Sequence, residues 1–193
     1  TMRSLFCLLT LLLLVSCSST SLTPINTGSD PTWVGEEQYE VLVAIRLYNP
    51  EMRVMFENRM VVALEKQGVI AVPSFSVFPQ LSSLNAQTFA RFLDASPKLA
   101  VLFAQATSVN KEQTNSNQEE DSLFADLLGG GEWDTTFIAR MESALYVHGE
   151  INAVWWNRVS LEAQEKKVKD VAERYIRNEI KAMQQGGAIE RLK

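Results

Sequence analysis

The alternation of apolar and polar positions predicts how the first half of the chain folds. Residues 39–47 place apolar side chains on both faces of an extended segment, which is typical of a strand buried within a sheet. Asn49, Pro50 and Glu51 are suited to begin a helix. Apolar residues then recur at spacings of three and four, and Gly68 is placed to end that helix.

A second strand and helix follow in the same order. Residues 69–72 predict a short strand, and a proline-bracketed apolar loop follows over residues 73–79. Asn85 is suited to cap a short helix that ends before Pro97. Residues 99–109 then predict a third strand, so the helices between the first three strands serve as crossovers in a sheet.

The second half predicts a hairpin and a final helix. Residues 135–147 and 151–161 alternate as antiparallel strands joined at a turn over residues 148–150. Residues 162–185 carry an apolar stripe opposite lysines and arginines, which predicts an amphipathic helix ended by two glycines. The fold class is therefore α/β (α+β), a mixed sheet of about five strands with helices packed on it, in the order β-α-β-α-β-β-β-α.

Within the hairpin, Trp155 and Trp156 must point to opposite faces, because side chains alternate along a strand. Trp155 shares its face with Ile151 and Val159. We therefore expect Trp155 in the core and Trp156 on the other side of the sheet.

The region 110–133 breaks the pattern and is predicted to be an exposed insertion. It is polar and acidic at first and carries three glycines, residues 129–131, near its end. Between these flanks a short amphipathic stretch carries four apolar side chains, which are candidate partner-binding residues: Leu123, Phe124, Leu127 and Leu128. The alternative is a helix folded back permanently on the domain.

The amino terminus resembles a bacterial lipoprotein signal. Its apolar run over residues 5–15 is about half of the ~20 residues that a spanning helix needs, and Arg3 supplies the positive flank. The sequence Leu14-Val15-Ser16-Cys17 that ends it resembles a lipobox. That resemblance implies a signal peptide over residues 1–16, lipid attachment at Cys17, and sorting by Ser18 to the outer membrane, facing the periplasm.

The domain organisation follows from composition. Residues 17–38 are rich in Ser, Thr, Asn, Gly and Pro, which predicts a lipidated cysteine on a flexible tether. Trp33 and Val34 are its apolar exceptions, suited to dock on the domain. Residues 39–187 then form a single domain, and residues 188–193 form a tail.

The charge and the cysteine content exclude several classes of protein. The formal net charge is −5 over 193 residues, whereas nucleic-acid binding requires concentrated positive charge. Of the two cysteines, Cys7 lies in the predicted signal peptide and Cys17 would carry the lipid, so no disulfide is expected. The fold must therefore be held together by packing.

A family resemblance rests on the first helix and the strand after it. Arg53-x-x-Phe56-Glu57, with Gly68-Val69 and Ala71-Val72-Pro73-Ser74 further on, resembles small bacterial outer-membrane lipoproteins of uncharacterised function. The topology is more distantly similar to the amino-terminal domain of TolB, to the peptidoglycan-synthase activator LpoB and to the curli lipoprotein CsgG. This resemblance implies a fold and an envelope location, and it transfers no catalytic residues.

The chain offers little for catalysis or metal binding. It has a single histidine, His148, whose position beside Gly149 is typical of a turn. We therefore expect no enzyme activity, cofactor or metal, but an accessory or assembly lipoprotein that binds another envelope component. The alternatives are a cell-wall hydrolase with paired carboxylates, and a lipoprotein that binds a small ligand in an apolar pocket.

Overall fold

The computed structural model describes residues 21–35, 39–47, 49–112, 136–164 and 168–193. The predicted signal peptide, the lipobox and most of the predicted insertion lie outside these ranges. Within the described ranges the strands are β1 Ser21–Ser29, β2 Glu40–Arg46, β3 Ile70–Pro73, β4 Leu99–Glu112, β5 Thr136–Val147 and β6 Trp155–Gln164. The α-helices are α1 Pro50–Glu65, α2 Ser74–Val77, α3 Ala86–Asp94, α4 Val168–Gln185 and α5 Ala188–Leu192.

The strands form one mixed sheet in the order β1-β6-β5-β4-β2-β3. Strand β2 runs parallel to both β3 and β4, as the helical crossovers require, and the remaining pairs are antiparallel. The predicted mixed α/β fold is confirmed. The described residues hold six strands rather than about five.

The additional strand corrects the predicted tether. Residues 21–29 form β1, which pairs along its length with β6 at the edge of the sheet. The polar composition predicted a tether because it offers little to bury. An edge strand needs only one hydrogen-bonded neighbour, however, and all of the β1 residues are exposed or half-buried.

The core lies on both faces of β2, as its two apolar faces predict. Val41, Val43 and Ile45 belong to the larger cluster, which the sheet forms with α1, α4 and α5. Leu42 and Ala44 face the opposite side and pack with Phe89 and other residues of α3. Helix α3 therefore covers part of the second face, and exposed side chains of β5 and β6 lie on the rest.

The carboxyl terminus is another correction, because residues 188–192 form the buried helix α5 rather than a tail. Ala188, Ile189 and Leu192 recur at helical spacing and are buried, while Gly187 (φ 71°) only turns the chain between α4 and α5. Trp33 docks here as expected, with the Arg191 guanidinium 5.4 Å from its ring centroid. Its neighbour Val34 remains exposed.

Several boundaries also differ from the prediction. Strand β4 continues to Glu112, so the predicted insertion begins at least three residues later than residue 110. Strand β6 runs from Trp155 to Gln164, which moves Ile151 into the preceding loop and the start of α4 to Val168. The proline-bracketed loop contains the single-turn helix α2 and is followed by a 3₁₀ turn at Leu81–Ser83.

Candidate functional site

Of the residues singled out from the sequence, the structure describes His148 but not the predicted lipidation and partner-binding residues. Cys17 and the apolar set Leu123, Phe124, Leu127 and Leu128 lie outside the described residues, so these remain predictions. His148 occupies the turn after β5, and its Nδ1 donates to the carbonyl oxygen of Leu93 at 2.9 Å. The predicted turn role of His148 is confirmed.

A buried ion pair joins two residues of the first helix. Arg53 and Glu57 lie one turn apart on α1, with Arg53 Nε 3.0 Å from Glu57 Oε1, and both side chains are buried. Glu57 also accepts hydrogen bonds from Ile45 N, Ser74 Oγ and Phe75 N. Glu57 therefore holds the end of β2 and the start of α2 against α1.

Arg53 completes this cluster with its remaining donors. Its guanidinium bonds Ser74 Oγ and the carbonyl oxygens of Phe78 and Pro79 at 2.7–3.1 Å. Because Glu57 accepts four hydrogen bonds, it is poorly placed to take a proton from a substrate. The motif that carries the family resemblance is thus a structural clamp. Its spacing of four residues was the sequence signal for this pair.

A second buried polar cluster links α4 to the sheet. Asn157 Nδ2 donates to Glu179 Oε1 at 2.7 Å, and Thr27 of β1 donates to Asn157 Oδ1. Nearby, the hydroxyls of Ser143 and Tyr175 are 2.7 Å apart. Burial raises the pKa of Glu179 to about 7. Within the described part of the chain, Glu179 Oε2 has no hydrogen-bond partner.

The first open site is the apolar groove, a cleft of about 620 Å³ between α3, the sheet and the loop after β5. Its apolar lining includes Leu84, Phe89, Leu93, Phe103, Tyr146 and Ile151, and its charged members are Arg46, Asp94 and Glu150. The Phe89 and Phe103 rings lie 5.3 Å apart between centroids. The Ile151 side chain is 95% exposed, which is unusual for an isoleucine.

The second open site is the basic groove, a cleft of about 660 Å³ between α1 and α4. Val62, Ala63, Ile176 and Ile180 supply its apolar lining. Its charged lining consists of Arg59, Lys66, Arg177, Lys181 and Glu173, a net charge of +3 in a chain whose net charge is negative. Arg59 pairs with Glu173 at 2.9 Å.

Sequence patterns did not reveal either groove, because each combines residues from separate elements. Across the described ranges, no group of three or more His, Cys, Asp or Glu side chains is placed to hold a metal ion. The helices in those ranges are also too short or too polar to cross a membrane.

Comparison with known proteins finds solved structures whose backbones can be aligned with this one. No protein-family model matches the sequence, and no curated protein matches it. Two crystal structures of the PelC dodecamer from Paraburkholderia phytofirmans each align with a TM-score of 0.49 and 11% identity, covering 86% of this chain and 95% or 96% of PelC. Lipoprotein GNA1162 from Neisseria meningitidis aligns with a TM-score of 0.43 and 11% identity, covering 72% of this chain and 96% of that one. What this chain does must therefore be inferred from its own residues.

Proposed function

We propose that this chain is a lipid-anchored protein of the bacterial envelope that binds another envelope protein through the apolar groove and catalyses no reaction. The anchor is Cys17, which follows the lipobox-like residues Leu14-Val15-Ser16. Sorting by Ser18 would place the chain on the periplasmic face of the outer membrane. Several acyl chains, each methylene contributing ~0.8 kcal/mol when buried, would make release negligible.

The apolar groove is the observation that supports binding. Ile151 stands almost fully exposed at the rim of a cleft whose floor is aromatic. Exposed apolar groups that adjoin such a cleft are typical of a protein-binding surface. The charged residues Arg46, Asp94 and Glu150 would orient the partner at the rim.

The position of the apolar groove also favours a partner that lies on the side of the domain away from the anchoring membrane. The chain leaves the sheet toward Cys17 at Ser21, which is opposite Glu162 near the end of β6. Ile151 precedes the start of β6, at the other end of that strand. We therefore expect the groove to face away from the anchoring membrane when Cys17 is lipidated.

The anchor is tested by replacing Cys17 with Ser. The variant should accumulate as an uncut or soluble form, whereas the parent chain should fractionate with the outer membrane. A Cys17→Ser chain that is still processed and still membrane-bound would refute the lipobox interpretation.

Binding is tested with a photo-crosslinking residue at position 151 in intact cells. Position 34 is the matched control, because Val34 is also exposed and does not line the groove. We expect one discrete protein adduct at position 151 that is absent at position 34 and is lost when Phe103→Asp is added. The same adducts at both positions, or none at position 151, would contradict the proposal.

The dimensions of the apolar groove favour one second candidate, a lipoprotein that binds a small apolar ligand. Its volume of about 620 Å³ falls within the ~300–1,000 Å³ of small-molecule pockets. Saturable binding of an environment-sensitive apolar dye, lost in Phe103→Asp, together with no adduct at position 151, would favour this candidate over a protein partner.

A further inference from the structure

The basic groove has features that the packing of the domain does not account for. Val62 lies in it with 47% of its side chain exposed, beside the buried Ile176 and Ile180. Lys66, Arg177 and Lys181 form no ion pair with any described residue. An apolar strip bordered by cations that have no ion-pair partner among the described residues is suited to an acidic amphipathic segment, whose apolar side would cover the strip.

The chain itself contains one segment with this chemistry. Residues 119–128, Glu-Glu-Asp-Ser-Leu-Phe-Ala-Asp-Leu-Leu, carry four carboxylates and no cation, a net charge of −4. Four of the other positions hold Leu or Phe at one-, three- and four-residue spacings that place them on one side of a helix. The segment therefore complements the groove in both charge and apolar character.

The ends of this part of the chain lie at the end of the sheet from which α4 starts. Glu112 pairs with Thr136, and Thr136 pairs with Gln164, only four residues before α4 begins at Val168. The groove starts about one turn further along α4, where Arg59 bonds the Lys169 carbonyl oxygen and Glu173. Six residues separate Glu112 from residue 119, and seven separate residue 128 from Thr136, which allows roughly 20 Å of chain on each side.

The lengths also match. Along α4 the groove extends from Glu173 to Gln184, about 17 Å at 1.5 Å per residue. Ten residues in a helix span about 15 Å. We propose that residues 119–128 dock in the basic groove of their own chain, with the leucines and Phe124 on Val62 and the carboxylates beside the lysines and arginines.

Disulfide trapping tests this docking in the chain from Ser18 onward, which holds every described residue and no cysteine. Val62→Cys with Leu127→Cys should close an intramolecular disulfide under mild oxidation. Val77→Cys with Leu127→Cys is the matched control, because Val77 is 45% exposed and does not line the groove. The first pair should close about tenfold faster or more, because docking raises the effective concentration of one thiol at the other.

Charge reversal separates docking from chance collisions. Lys66→Glu with Lys181→Glu should slow closure about fivefold or more, since the groove would then repel the carboxylates of residues 119–128. Added salt should slow closure in the chain that carries only Val62→Cys and Leu127→Cys, because it screens the attraction between the groove and the segment. Arg91→Glu with Arg140→Glu, two exposed cations outside the groove, should leave the rate unchanged. The proposal would be overturned if both cysteine pairs closed at the same rate, or if reversing the groove charges left the rate unchanged. A disulfide-linked dimer would also overturn it, because it would show that the groove binds a second copy of the chain.

Discussion

At the scale of single residues, breaking the Arg53–Glu57 pair should cause a large loss in the free energy of unfolding. Glu57→Ala leaves a buried guanidinium without its carboxylate and the amides of Ile45 and Phe75 without an acceptor. We expect a loss of ~3–5 kcal/mol in the free energy of unfolding, measured by urea denaturation. Glu142→Ala, which removes an exposed pair with Arg158, should cost ~0–1 kcal/mol. Similar losses for the two variants would show that the buried cluster is not a clamp.

A second residue-scale prediction concerns Glu179 and pH. Its pKa is raised in the folded chain from 4.5 to about 7, chiefly by burial, so between these values the folded state holds a proton that the unfolded state has released. The contribution of Glu179 to stability is therefore greatest below about pH 4.5, falls as pH rises to 7, and levels off above 7.

The matching variant is Glu179→Gln, which keeps the shape and stays neutral. From pH 5 to pH 8 the parent chain should lose on the order of 3 kcal/mol relative to Glu179→Gln. Glu142→Gln, at an exposed position, serves as the control and should follow the parent. A constant difference between the parent chain and Glu179→Gln across this range would refute the assignment.

The adjacent tryptophans give the third residue-scale prediction. Trp155 is fully buried and Trp156 is 36% exposed, as the alternation along the strand predicted. Trp155→Ala should cost ~3–5 kcal/mol of unfolding free energy and Trp156→Ala distinctly less. Trp156 covers Gly28 of β1, where a Cβ would collide with its ring. A larger loss at Trp156 on chemical denaturation would reverse this ranking.

At the scale of elements, β1 is an integral strand, and its removal should show this. A chain that begins at Asp30 lacks β1, which leaves the β6 edge unpaired and removes the Thr27 donor from Asn157. Relative to the chain from Ser18, we expect a loss of about 2 kcal/mol or more in the free energy of unfolding, with a greater tendency to aggregate. If residues 21–29 were a tether, the two chains would unfold at the same urea concentration.

The elements that the sequence predicts are those that carry their own pattern. Strand β2 alternates apolar residues on both faces, and Asn49 and Asn85 cap α1 and α3 through their side chains, so these elements were predictable. Strand β1 was not, because its stability comes from backbone pairing with a strand about 130 residues away. Helix α5 was missed because the two glycines before it indicated an end rather than a turn.

At the scale of the whole molecule, function depends on surfaces that no local pattern encodes. The apolar groove joins α3 to the hairpin loop, and the basic groove joins α1 to α4, with more than 100 residues between the two helices. What the sequence does encode is complementarity between the basic groove and residues 119–128, because the charges of both can be read from it. That match could be recognised only once α1 and α4 were known to lie side by side.

The revised start of the domain changes its expected position at the membrane. A tether to residue 38 would let the domain move far from its anchor, whereas β1 begins at Ser21, four residues after Cys17. Those residues reach at most ~15 Å when fully extended. A lipidated chain should therefore hold the Glu162 end of β6 near the bilayer and the Ile151 loop about 25 Å further away, given ~3.4 Å per strand residue.

Energy transfer to a labelled lipid measures this orientation. A donor dye at Glu162→Cys should transfer more efficiently than one at Ile151→Cys in lipoprotein reconstituted into vesicles, because the first site lies beside Ser21 and the second at the opposite end of the strand. Inserting twenty Gly/Ser residues between Ser18 and Ser21 should lower the transfer at position 162 and bring the two sites closer to equality, since a flexible linker lets the domain move away and rotate. Equal transfer from both sites without the insertion would show that the domain is not held at its β1 end.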